Sequence, residues 1–180
     1  VDALETLYGV DIAYYLRMNF TGFVEVIDAL GGVSVYSDRE FTVENIRTYQ
    51  QGYNQLTGIE ALAFARERMS FPEGDYQRAQ NQMEVIRAVV EKASTPAVLG
   101  GFSSLLQAVE GNFETNLPQD QVLALASAMG GDWQVETYTA SGYSAYRETY
   151  SMPGQELYVI LPDQASVEQA AALLEETLAA

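Results

Sequence analysis

The stretch IAYYLRMNFTGFVEVIDALGGVSVY, residues 12–36, decides the fold class. Residues 12–20 alternate and are rich in tyrosine and isoleucine, which predicts a strand. The next segment predicts a helix that Thr21 caps, that two glycines end, and that carries one apolar stripe: Phe23, Val26, Ile27 and Leu30. Residues 33–36, VSVY, return to strand. A strand, a helix and a strand in this order predict an α/β protein.

The rest of the chain continues the alternation. Helices are predicted before Gly9, over 59–69, 75–92, 97–110 and 118–130, and after Pro162 at the C-terminal end. The tail adds strands at 133–140 and 156–162. We expect a mixed central sheet flanked by helices in α-β-α layers, with its strands near 13–19, 33–36, 134–139 and 156–161. No linker is evident, so residues 1–180 are predicted to form a single domain.

Composition excludes several function classes. The chain has 180 residues with 48% hydrophobic side chains, enough for one ordinary core. It has neither cysteine nor histidine, which removes disulfides, thiolate zinc sites and a Ser-His-Asp triad. Its net charge of −16 argues against nucleic acid as a partner. No apolar run reaches the roughly 18 residues that a bilayer-spanning helix needs.

Against this acidic background, the segment ARERMSFPEGDYQRAQNQ, residues 65–82, concentrates three of the eight arginines. Asp75, Arg78 and Gln82 share one side of the first turns of a predicted helix, where backbone N–H groups and the helix dipole favour an anion. Arg66 and Arg68 can join them only if the preceding helix frays or the turn between is tightly wound. The segment therefore predicts an anion site.

Two simpler interpretations stay open on spacing alone. Arg66 and Arg68 could form surface ion pairs with Glu67, Glu73 or Asp75, which contribute little stability. Asp75 by itself could be only a helix cap.

The motif GYNQLTGIEALAFARER followed by GDYQRAQNQ, together with DALGGVSV and the strand and helix before it, resembles the LytR-CpsA-Psr family over about residues 1–93. The resemblance implies a cell-wall glycopolymer phosphotransferase. Such an enzyme moves a polyprenyl-pyrophosphate-linked polymer, such as teichoic acid or capsular polysaccharide, onto peptidoglycan at the outer face of the bacterial membrane. By position, Arg66, Arg68 and Arg78 would bind the pyrophosphate. Gln82 would contact the headgroup, and Asp75 would orient the arginines or assist the chemistry.

The resemblance also implies what this chain lacks. Family members carry Mg²⁺-binding aspartates on strands that precede the part matched by Val1. We therefore expect the C-terminal portion of a catalytic domain that is truncated at its N-terminus, without the magnesium ligands, without turnover and without the membrane anchor. Missing strands would expose a sheet edge, through which a homodimer could form. Asn81 replaces an arginine that is frequent in the family, which could weaken the grip on the anion.

Two other function classes are compatible with these residues. One is a non-catalytic module that binds polyprenyl phosphate or glycan through the same arginines. The other is a transcriptional regulator, against which the acidic charge and the absence of a basic recognition helix argue.

Overall fold

The computed structural model describes residues 1–99, 111–118 and 135–179, with the single residues 121, 124 and 128. The helices are α1 Asp2–Tyr8, α2 Phe20–Ala29, α3 Gly58–Arg66, α4 Asp75–Ala93, α5 Pro96–Leu99 and α6 Gln164–Ala179. The strands are β1 Leu16–Met18, β2 Val33–Ser37, β3 Phe41–Val43, β4 Arg47–Tyr49, β5 Gly52–Leu56, β6 Phe113–Thr115, β7 Gly142–Thr149 and β8 Met152–Pro162. The predicted α/β class is confirmed.

The strands pair differently from the prediction. Among the described strands, all pairs are antiparallel and two-stranded: β1 with β6, β2 with β5, β3 with β4, and β7 with β8. The expectation that β1, β2 and β8 share one sheet is therefore wrong for the described residues. Within the described residues, each strand pairs with one other strand. That a sheet edge is exposed because upstream strands are missing stays a prediction. Whether such an edge forms a homodimer stays a prediction.

The chain forms two compact units, which are described separately. One unit comprises Val1–Ala13 with Thr137–Ala180 and contains α1, the β7–β8 hairpin and α6. The other comprises Tyr14–Glu136 and contains all the remaining labelled elements. The assignment of residues 1–180 to a single domain stays a prediction.

Several predicted element boundaries are corrected. Helix α2 begins at Phe20 rather than after Thr21, because Asn19 is its N-cap and accepts the Gly22 N–H at 2.7 Å. Residues 135–140 are not in a strand, and the strand lies at β7 instead. Of the predicted helix over 97–110, only the first turn falls within α5, and residues 100–110 lie outside the described residues. Most of the predicted helix over 118–130 also lies outside them.

Helix α3 begins as the sequence predicts, with a capping box between Thr57 and Glu60. The Thr57 N–H donates to the Glu60 carboxylate at 2.9 Å. Burial alone would raise the pKa of Glu60, but the bonds from Thr57 and the Arg47 guanidinium together lower it. The Gly58 N–H donates to the Asp28 carboxylate at 2.7 Å, which ties the start of α3 to the end of α2.

The α2–α3 contact requires glycine at position 58. A Cβ at Gly58 would lie 2.2 Å from the Val24 carbonyl oxygen, so any side chain would force the two helices apart. This close crossing brings the first residues of α2 near the last residues of α3, where the arginine segment begins.

The core of the larger unit is a cluster of aromatic rings beneath α3. Phe41 stacks on Tyr49 at 4.7 Å between ring centroids and contacts Phe64 at 5.4 Å and Phe71 at 4.8 Å. The Tyr49 hydroxyl donates to the Glu60 carbonyl at 2.7 Å, so its polar end is satisfied inside the core. The cluster fixes both α3 and the turn that follows it.

No helix among the described residues has the length and apolar character to cross a bilayer.

Candidate anion-binding site

The turn after α3 is tightly wound, which is the condition that convergence of the arginines requires. Helix α3 ends at Arg66, and Glu67 adopts an extended backbone with φ −67° and ψ 132°. The Glu67 carboxylate accepts the Ser70 N–H at 2.8 Å. Two backbone bonds then close successive turns, from Phe71 to the Arg68 carbonyl at 3.3 Å and from Gly74 to the Phe71 carbonyl at 3.1 Å. The sequence prediction extended this helix to residue 69, three residues too far.

One buried side chain and one ion pair anchor the turn. Phe71 is buried in the aromatic core, although it lies between polar residues of a turn. Glu73 pairs with Arg39 at 3.2 Å. Glu73 is therefore engaged by Arg39 and not by Arg66 or Arg68, whereas the Arg68–Asp75 pair of the surface ion-pair alternative is present at 3.6 Å.

Helix α4 begins directly at the end of this turn. Its N-cap is Gly74, with φ 54° and ψ −110°, a conformation that a side chain strongly disfavours. Asp75 is the first residue inside the helix, so the interpretation of Asp75 as the cap is wrong. Gly74 has no side chain to cap the helix, and the Tyr76 N–H in the first turn donates to the Glu73 carbonyl at 3.2 Å. The positive end of the helix dipole lies beside the arginines.

Arg68 and Arg78 converge on one oxygen of Asp75. The distance from Asp75 Oδ1 is 3.6 Å to Arg68 Nη1 and 3.3 Å to Arg78 Nη2. The three side chains come from the turn and from the first turn of α4, and all three are substantially exposed. One carboxylate oxygen cannot use all the N–H groups of two guanidinium groups. The remaining N–H donors can form hydrogen bonds to the oxygens of a phosphate.

Arg66 and Gln82 lie elsewhere on the same α3–α4 surface. The Arg66 Cζ atom lies 4.5 Å from the centroid of the exposed Phe20 ring, at the start of α2. The Gln82 side-chain amide donates to the Ala65 carbonyl at 3.4 Å. Asp75 therefore contacts Arg68 and Arg78, whereas Arg66 is positioned by its contact with Phe20. No signal in the sequence pointed to Phe20.

Asn81 has a structural position that the sequence did not reveal. It is 4% exposed, and its amide donates to the Phe64 carbonyl at 3.2 Å while accepting from Gln77 at 3.2 Å. Together with Gln82, it satisfies two of the last carbonyls of α3, which have no partner within their own helix. The Asn81 side chain points between the helices and away from solvent. That the arginine missing at this position weakens the grip on the anion stays a prediction.

The described residues do not supply a magnesium site. Nowhere in the described ranges do three or more Asp, Glu, His or Cys side chains come together in a way that could hold a metal ion. The groups that the described site offers to an anion are the guanidinium groups of its arginines.

The structure thus places Arg68, Arg78 and Asp75 together where the turn after α3 meets the start of α4. The fold and this group define an α/β protein with a candidate oxyanion site at a helix N-terminus. The chain belongs to the LytR_cpsA_psr family, whose sequence profile matches residues 1–172.

Relatives support this assignment. A protein of Bacillus anthracis, named polyisoprenyl-teichoic acid–peptidoglycan teichoic acid transferase TagU, is 39% identical over 122 residues, which cover 68% of this chain and 40% of that protein. The crystal structure of Bacillus subtilis TagV superimposes with a TM-score of 0.80 and 26% identity over 98% of this chain and 68% of that one. A protein of Enterococcus faecalis described as a transcriptional regulator gives a TM-score of 0.82 with 27% identity over 99% of this chain and 64% of that one. The chain spans about 40% of the length of the curated relative it matches.

Proposed function

We propose that this chain is the pyrophosphate-binding part of a cell-wall glycopolymer phosphotransferase. The observation that carries the proposal is the convergence of Arg68 and Arg78 on Asp75 at the start of α4. Family membership and the transferase name of the Bacillus anthracis relative support it. The substrate would be a polymer such as teichoic acid or capsular polysaccharide on a polyprenyl pyrophosphate carrier, and the acceptor would be peptidoglycan.

Each residue of the site has a distinct role in this proposal. Arg68 and Arg78 bind phosphate oxygens with planar pairs of N–H donors, and Asp75 holds both guanidinium groups in place before the ligand arrives. Arg66, whose guanidinium lies over the Phe20 ring, adds a third positive charge. Gln82 holds the Ala65 carbonyl, and we propose that it also contacts the headgroup.

The arginines suit the charge changes of the reaction. A hydroxyl oxygen of the acceptor forms a bond to the phosphorus that carries the polymer, and the hydroxyl proton is released to water. The bond from that phosphorus to the bridging oxygen breaks, and polyprenyl phosphate leaves with that oxygen and its electron pair. Because the leaving phosphate gains negative charge, fixed guanidinium groups beside it lower the barrier.

The remaining family features are part of the same proposal. Mg²⁺ would act in the intact family domain through residues other than those that the structure of this chain describes. The complete protein would work at the extracellular face of the bacterial cytoplasmic membrane and be held there by an N-terminal anchor. The net charge of −16 argues against a regulator that binds nucleic acid.

The test combines binding and transfer. Binding of inorganic pyrophosphate to the 180-residue chain is measured by calorimetry for the wild type, Arg66→Ala and Arg78→Ala. Transfer of lipid-linked teichoic acid to peptidoglycan is measured with the protein encoded by the complete gene, in the presence of Mg²⁺. Each alanine variant should weaken pyrophosphate binding by about 1.5–3 kcal/mol and abolish detectable transfer, with little change in thermal unfolding.

Arg147→Ala is the matched control. Arg147 is an exposed arginine on β7, and its guanidinium donates to the neighbouring Tyr146 carbonyl at 3.0 Å. The variant should bind and transfer as the wild type does. Pyrophosphate binding without transfer by the complete protein would identify a binding module instead of an enzyme. Equal transfer by all variants would refute the arginine site.

A further inference from the structure

A second concave site lies on the larger unit, between the β2–β5 pair and α4. Its volume is about 400 Å³, within the range of small-ligand pockets. The strands contribute Ser34, Tyr36 and Tyr53 to one wall. Helix α4 contributes the other wall with Glu84, Arg87, Ala88 and Glu91. None of these residues belongs to the arginine segment.

Two exposed tyrosines form the strand wall. Tyr36 and Tyr53 are directly opposite each other in the β2–β5 register, and their rings meet edge to face at 5.3 Å between centroids. Tyr53 is 76% exposed and Tyr36 is 43% exposed, although the neighbouring Val33 and Val35 of β2 are fully buried. The pair thus presents apolar ring surface and two hydroxyl groups to the pocket.

The helix wall holds an arginine with unused donors. The Nε atom of Arg87 is buried and has no hydrogen-bond partner among the described residues. Its pairing with Glu84 is weak, because Arg87 Nη1 and Glu84 Oε1 are 3.9 Å apart, beyond hydrogen-bond distance. A ligand cannot reach the buried Nε. The Arg87 side chain as a whole is 37% exposed, so its terminal N–H groups are the donors that a ligand in the pocket would use.

The charges and surfaces of the pocket restrict the ligand. Glu84 and Glu91 would repel a phosphate, and Arg87 offsets one of these two negative charges, which weakens the attraction for a cation. A purely apolar ligand would leave the Arg87 donors unsatisfied. The class that uses every group of the lining is a neutral molecule with an apolar face for Tyr53, acceptors for Arg87 and donors for the two carboxylates. A sugar ring has this combination, because its C–H face is apolar and its hydroxyl groups both donate and accept.

We propose that this pocket binds a neutral, unphosphorylated sugar unit of a glycan. It is separate from the arginine site, because Arg87 follows Arg78 by nine residues, about two and a half helical turns, and so lies on the opposite side of α4. The proposal stands without the phosphotransferase assignment. Within that assignment, the pocket would hold a glycan segment while the arginines hold the pyrophosphate.

The experiment uses the 180-residue chain and N,N′-diacetylchitobiose as a neutral probe, with binding followed by ligand-observed NMR and calorimetry. Tyr53→Ala should weaken binding by about tenfold or more, because it removes the exposed ring that a sugar face would cover. Arg87→Met should weaken it similarly, because the chain length is kept and the donors are lost. Thermal unfolding of Tyr53→Ala should stay close to wild type, since the side chain is mostly exposed.

Two controls separate this site from other surfaces. Tyr146→Ala removes an exposed ring from the similar edge-to-face pair of Tyr146 and Tyr158 on the β7–β8 hairpin, and it should leave binding unchanged. Arg66→Ala should also bind the probe normally while losing pyrophosphate. Absence of probe binding to the wild type, or equal binding by Tyr53→Ala, would overturn the proposal. Loss of binding in Tyr146→Ala with retention in Tyr53→Ala would place the sugar on the hairpin and overturn it as well.

Discussion

Asp75 shares one carboxylate oxygen between two arginines, and this contact sets the geometry of the candidate anion site. Asp75 and Arg68 are both more than half exposed, so the pairs contribute little to folding. The two ion pairs matter because they position the arginines. A carboxylate at this point keeps two flexible guanidinium groups together at the start of α4, and it also competes with any anion that binds there.

Asp75→Asn separates these two effects. The amide removes the competing charge, so inorganic pyrophosphate should bind to the 180-residue chain as tightly as to the wild type or more tightly. Transfer by the complete protein should fall, because Arg68 and Arg78 lose the group that orients them. Calorimetry and the transfer assay measure the two quantities. Wild-type transfer by Asp75→Asn would contradict an orienting role, and Glu175→Ala on α6 is the control for removal of an acid.

Arg78→Lys tests the geometry of the donors. Lysine keeps the positive charge and loses the planar pair of N–H groups, so it should recover only part of the pyrophosphate affinity that Arg78→Ala loses. Full recovery in the same calorimetric titration would mean that charge alone is sufficient at this position.

At the scale of elements, the α3–α4 pair is held by side chains of α4 that cap the end of α3. Asn81 and Gln82 are adjacent in sequence and donate to the adjacent carbonyls of Phe64 and Ala65. The end of α3 therefore cannot fray freely, and Arg66 leaves the helix in a defined direction. The arginine segment depends on this contact between two helices.

Asn81→Ala should lower the free energy of unfolding by about 1–3 kcal/mol, because it leaves the Phe64 carbonyl and the Gln77 amide buried without their partner. Urea denaturation measures the change. Gln82→Ala is the control: its bond is longer and its residue more exposed, so the loss should be smaller. A loss for Asn81→Ala no greater than that for Gln82→Ala would contradict the capping role.

At the scale of the whole molecule, pH acts on the aromatic core through Tyr49. Burial raises the pKa of Tyr49 from 10.0 to about 12, and the nearby Glu60 carboxylate adds to the effect. Because the folded state keeps a proton that the unfolded chain loses, the stabilisation is complete below pH 10 and is lost as the pH rises toward 12.

Tyr49→Phe keeps the ring and removes the titrating group together with its bond to the Glu60 carbonyl. Below pH 10 the wild type should be more stable by about 1 kcal/mol, and this advantage should shrink steadily as the pH approaches 12. Denaturation series at increasing pH measure the difference. Tyr143→Phe, whose ring is exposed on β7, should follow the wild type throughout. A constant advantage for the wild type across this range would show that Tyr49 does not couple folding to pH.

The sequence by itself determined the features that depend on neighbouring residues. It predicted the α/β class, the capping box of α3, the first residue of α4 and the glycines that end α2, because caps, periodicity and turn residues act within a few positions. It also gathered the arginines and Asp75 into one short segment. The binding of pyrophosphate by that segment stays a prediction.

Only the tertiary structure decided how distant segments meet. The pairing of β2 with β5, the contact of Arg66 with Phe20 and the bond from Asn81 to Phe64 join residues that are 15 to 46 positions apart. Strands pair through backbone hydrogen bonds, so their side chains do not identify the partner strand. The identity of a polar side chain likewise does not show whether it will donate a hydrogen bond to a carbonyl of another helix. The same helices and strands could satisfy their backbone groups and bury their apolar faces in several arrangements. Side-chain packing in the folded chain determines which of these arrangements forms.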